Sequence, residues 1–142
     1  MAMRKYLLPA FEKLAIAIRD KDEDALQWLR DNGFLELAHF WDAVEGMELS
    51  FRWLLENDFR HLAAVVDGLF GKESAKAWLL QSGYASLAAF IEASEGSPKA
   101  VAFLIKSGDK GWIHVARAIA EREKKKNKSF FWSLLNFGNP FR

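Results

Sequence analysis

The chain has 142 residues, enough for one ordinary domain, and its 51% hydrophobic and 27% charged side chains exclude a disordered polymer. It has no cysteine, which excludes disulfides, thiolate metal sites and cysteine nucleophiles together. Residues 1–120 carry 14 basic and 17 acidic side chains, an acidic body that argues against a nucleic-acid groove, and residues 121–142 carry 6 basic and 2 acidic.

At the N-terminus, Pro9 interrupts an apolar run too short for a signal peptide. No segment approaches the roughly 20 apolar residues that span a bilayer. Residues 6–20 place Phe11, Leu14, Ala15 and Ile18 on one helical face and predict a capping helix, with Asp20–Asp24 as its connection.

A repeat of 25 residues follows without drift. Trp28-Leu29, Trp53-Leu54, Trp78-Leu79 and Phe103-Leu104 mark it, as do Gly33, Asp58, Gly83 and Gly108. Further columns are Leu37, Leu62, Leu87 and Trp112, then Ala43, Gly68, Ala93 and Ala118. Within the first unit Ala25, Trp28 and Leu29 form one face of a short helix that Gly33 ends. Phe34, Leu37, Ala38, Trp41 and Val44 form a second helix, which Gly46 ends. Glu23, Glu48 and Glu73 open the first helices at the positive end of the helix dipole. Ser97-Pro98 opens the fourth as an N-cap with proline behind it. The small column lets neighbouring helices approach closely.

Helices this short need neighbours to bury them. The expected fold is therefore all-α: a right-handed α-solenoid with helix–turn–helix repeats at 23–47, 48–72, 73–97 and 98–122. Residues 1–122 form the helical-repeat domain and residues 123–142 a basic-aromatic tail. Trp53 should be buried between its own unit's second helix and a neighbouring unit. Gly33, Gly83 and Gly108 should have positive φ, with Asp58 substituting in the second unit.

The run Ala43-Val44-Glu45-Gly46, then Leu54 and Asp58, recurs as Ala93-Ser94-Glu95-Gly96, Leu104 and Gly108. The middle copy has Gly68, Gly71, Leu79 and Gly83. Over residues 37–108 this resembles the helical part of ankyrin repeats, whose units are longer and add a Thr-Pro-Leu-His segment and a β-hairpin finger that this chain lacks. The resemblance implies protein binding on a concave or edge surface and brings no catalytic residues.

In the fourth unit the aromatic column Phe34, Phe59, Tyr84 becomes Asp109, and the Leu column becomes Trp112. Trp112 reads either as a terminal unit recovering lost volume or as an exposed member of a binding surface. Chemistry is sparse. His39 and His114 share a repeat column, His61 lies in another, and none has metal-ligand spacing. No nucleophile elbow or phosphate-binding glycine loop is present. Asp22, Glu23 and Asp24 read as a solvated helix start. No cofactor, no metal and no catalytic set are expected.

The tail joins Lys124, Lys125, Lys126 and Lys128 to Phe130, Phe131, Trp132, Leu134 and Leu135. Three destinations suit it: a cap on the open end of the stack, a partner protein, or a membrane interface with the lysines against anionic headgroups. The partner- or membrane-binding candidates are Lys124, Lys125, Lys126, Lys128, Phe130, Phe131, Trp132 and Leu135. The functional expectation is a cytoplasmic protein–protein interaction module, an adaptor or assembly subunit. The alternatives are a peripheral membrane protein held by the tail and an enzyme whose site the sequence does not show.

Overall fold

A computed structural model of the chain describes residues 4–123. Among the described residues all regular structure is helical. The capping helix α1 spans Leu8–Asp20. Outer helices α2 (Glu23–Asp31), α4 (Glu48–Glu56), α6 (Glu73–Gln81) and α8 (Pro98–Lys106) alternate with inner helices α3 (Leu35–Val44), α5 (Arg60–Leu69) and α7 (Ala85–Ser94). A last inner helix, α9, covers residues 111–123.

The helix ends recur every 25 residues because the stop signals do. Gly33, Gly83 and Gly108 have φ of 88°, 87° and 83°, and Asp58 takes the same place at 68°. The next amide in each unit (Phe34, Phe59, Tyr84, Asp109) bonds back to the carbonyl of Leu29, Leu54, Leu79 or Leu104 at 2.8–2.9 Å. Each outer helix thus ends in the same left-handed cap, which absorbs a carbonyl that the helix leaves unpaired. At the starts, the Asp22 carboxylate accepts from the Asp24 and Ala25 amides, and Ser97 Oγ accepts from the Ala100 amide.

Each outer helix packs on its sequence neighbours, and α1, α3, α5 and α7 also pack on one another in order. The outer helices bury one narrow stripe, Leu29, Leu54, Leu79 and Leu104 at its centre. The inner helices are buried on most sides, through Leu37, Leu62, Leu87 and Trp112 and through the column Phe40, Val65, Phe90 and Val115. Phe and Val alternate in that column, so large and small side chains interdigitate at the centre. Gly68 lets α5 and α7 touch, since a Cβ there would collide with Ile91.

The array closes on itself. Trp112 of α9 meets Phe11 of α1 edge-on at 5.1 Å and Tyr6 at 6.2 Å, and Phe90 of α7 lies 4.9 Å from its other side. A Cβ on Gly111 would fall inside the Phe11 ring, so glycine is what allows α9 to lie against α1. Near the far end of α9, Arg122 pairs with Glu45 at the end of α3 and lies over the Trp41 ring.

This closure distinguishes the two readings of Trp112. Trp112 is only 2% exposed, as the reading of a terminal unit recovering lost volume requires, and it fills the space between the capping helix and α9. Trp53 departs from expectation, half-buried where full burial was expected. It lies between the units as foreseen, stacked on His39 at 4.2 Å and on Phe59 at 5.7 Å, but its edge faces solvent while Leu54 beside it takes the core position.

Candidate functional site

The sequence candidates Lys124, Lys125, Lys126, Lys128, Phe130, Phe131, Trp132 and Leu135 lie outside the described residues. Three surfaces of the helical body remain to be weighed.

The first is an aromatic ladder along the turns between outer and inner helices. Trp28 stacks on Phe34, Trp53 on Phe59 and Trp78 on Tyr84, each with centroids 5.7–6.1 Å apart. His39 stacks on Trp53, and His61 on Tyr84 at 5.1 Å. Arg4 covers the Phe34 ring at 4.7 Å and donates to the buried Glu36 carboxylate, which Tyr6 Oη also reaches at 3.0 Å. Burial, more than the Glu36 charge, pushes the Tyr6 phenol well above its ordinary range. In the fourth unit Asp109 stands in the ladder's place and accepts from Ser86 Oγ at 2.6 Å and Ser107 Oγ at 3.0 Å. The ladder is a seam between units, with faces already occupied.

Burial lowers the pKa of both His39 and His61; Asp42 opposes this at His39, and Asp58 and Glu36 oppose it at His61. A histidine held neutral in the fold but free to protonate in the unfolded chain adds stability above its ordinary pKa of 6.5 and withdraws it as pH falls below that value. Urea midpoints should therefore be level from about pH 8 to 7 and drop between about 6.5 and 5. The drop should be smaller in His61→Phe.

The second surface is a ridge on the outer helices. Leu55, Leu80 and Ile105 occupy one repeat position and are 45%, 59% and 50% exposed. Trp78 and Phe103, two residues before the last two of these, are 38% and 43% exposed. The reason is angular: each exposed residue sits about 100° from the buried Leu54, Leu79 or Leu104 beside it. Leu55 and Trp78 line one groove of about 210 Å³ between neighbouring units, floored by Ala63, Ala64 and Ala75. The first unit has Arg30 at the ridge position, paired with Asp42 at 3.4 Å, so the apolar ridge begins at the second unit.

The third surface is a cavity of about 600 Å³ where the C-terminal ends of α3, α5 and α7 meet the last described turn of α9. Trp41, Val44, Leu69, Phe70 and Ile119 give it apolar walls, and Glu45, Glu95, Arg122 and Glu123 stand among its lining residues.

Among the described residues, no three His, Asp or Glu side chains gather as a metal site requires, and no helix is long and apolar enough to cross a membrane. No protein-family model, curated protein sequence or solved structure matches the chain.

Proposed function

We propose that this chain is a four-unit right-handed α-solenoid, closed by its capping helix, that works as a non-catalytic protein–protein interaction module. The observation that carries the reading is the ridge. Leu55, Leu80 and Ile105, flanked by Trp78 and Phe103, recur at repeat spacing on successive outer helices and stay in contact with water. Isolated exposed leucines need no explanation, but a patch built by repetition is the kind of surface that partners cover. Burying the exposed half of one such side chain stabilises a complex by about 1 kcal/mol before ordering costs.

Phe40, Phe90 and Trp112 fill the middle, which supports placing a partner on the outer face. The outer face remains, with polar positions such as Lys99 beside the ridge. An adaptor or assembly subunit fits this arrangement.

The test is comparative capture from a lysate with the full chain. Leu80→Glu together with Ile105→Glu should lose partners that the unaltered chain and Lys99→Glu both retain, with affinity at least about tenfold weaker, equivalent to about 1.4 kcal/mol. Thermal stability should change little, since both positions are exposed. Equal capture by the ridge variant would remove the reading.

A further inference from the structure

We propose that the cavity at the C-terminal ends of the inner helices is a docking site for the chain's own segment 129–142, whose aromatic side chains enter between Trp41, Leu69, Phe70 and Ile119. The first argument is the shape and chemistry of the site. About 600 Å³ with apolar walls lies in the range of cavities that hold compact apolar ligands. Phe70 stands at its edge 62% exposed, an aromatic surface that nothing in the helical body covers.

The second argument is charge. Three helices, α3, α5 and α7, end at the cavity, and each brings the negative end of its dipole. Glu45 and Glu95 line it with them, and among the described lining residues Arg122 is the cation. Arg122 is engaged by Glu45 and Trp41, and Lys76 reaches Glu95 from outside at 3.6 Å. Three helix C-termini around apolar walls favour a ligand that carries cations next to aromatic groups. Lys124, Lys125, Lys126 and Lys128, followed by Phe130, Phe131, Trp132, Leu134, Leu135, Phe137 and Phe141, have that pattern in that order.

The third argument is the tether. The described chain reaches the cavity at Glu123, itself a lining residue. The five residues 124–128 can extend about 17 Å, enough to cross the mouth and turn back. A segment tethered this closely has an effective concentration of the order of millimolar, so weak apolar contacts suffice to hold it. The occupied site would be separate from the ridge, which lies on the outer helices.

Cysteine is absent from the sequence, so one introduced thiol can be labelled cleanly. A nitroxide attached to the full chain through Asn136→Cys should broaden the amide signals of Leu69, Phe70, Ser94, Gly96 and Ile119. It should leave Gly33, Gly83 and Gly108, at the opposite ends of the inner helices, sharp. Phe70→Asp, a change at an exposed position that should not disturb folding, should reduce the cavity broadening. No broadening at the cavity would overturn the proposal. So would broadening seen only between chains in a mixture of isotope-labelled and spin-labelled protein, which would make a second copy the occupant. A cavity left sharp in the free chain, with the chain sedimenting among phosphatidylserine vesicles, would overturn it in favour of a bilayer.

Discussion

Trp112→Ala is expected to cost about 3–5 kcal/mol, the range for truncating a large aromatic in a well-packed core. The side chain is enclosed by Tyr6, Phe11 and Phe90, rings that come from the N-terminal segment, the capping helix and the third unit. Its loss would open a cavity at the point where the array closes, and rings on three separate segments cannot collapse together to fill it. For a chain of this length the melting temperature should fall by about 10–20 °C. Phe103→Ala, at a half-exposed position on the ridge, should cost less than about 1 kcal/mol. Similar melts for the two variants would show that Trp112 is not the closing residue.

Gly111→Val should be nearly as damaging for the opposite reason. A side chain at residue 111 overlaps the Phe11 ring, which is buried and flanked by Tyr6 and Trp112 and cannot swing aside. Overpacking of this kind costs about 1–3 kcal/mol. Phe11→Ala removes the obstacle, so Gly111→Val introduced into that background should cost at least about 1 kcal/mol less than in the unaltered chain. Strict additivity of the two changes, measured by urea denaturation, would mean that α1 and α9 are not in contact.

Much of the helical pattern was legible because it is periodic. The leucines in the outer helices, the glycines after them and Asp58 in the glycine place are local signals with local consequences, and each recurs. Phe40, Val65, Phe90 and Val115 were passed over although they too recur, because an alternation of Phe and Val does not present itself as a single column. Closure was not legible for a different reason. It depends on Phe11 meeting residues 111 and 112, a contact across the whole array that no repeat spacing encodes. Its traces were a glycine where the other units carry Glu36, His61 and Ser86, and a tryptophan where they carry leucine.

The ridge was hidden in plain pairs such as Leu54-Leu55 and Leu79-Leu80. One residue of helix is a rotation of about 100°, and composition alone does not say which leucine of a pair turns inward. The partner- and membrane-binding candidates from the tail fall beyond the described residues. Their place in this account rests on the cavity that lies at their root.

The most direct measurement is hydrogen exchange on the full chain, alone and with a captured partner. The account predicts added protection on α4, α6 and α8 around Leu55, Leu80 and Ile105, with the inner helices α3, α5 and α7 unchanged because their faces are already buried. Protection confined to the inner helices or to α2, with the outer ridge exchanging as in the free protein, would contradict it.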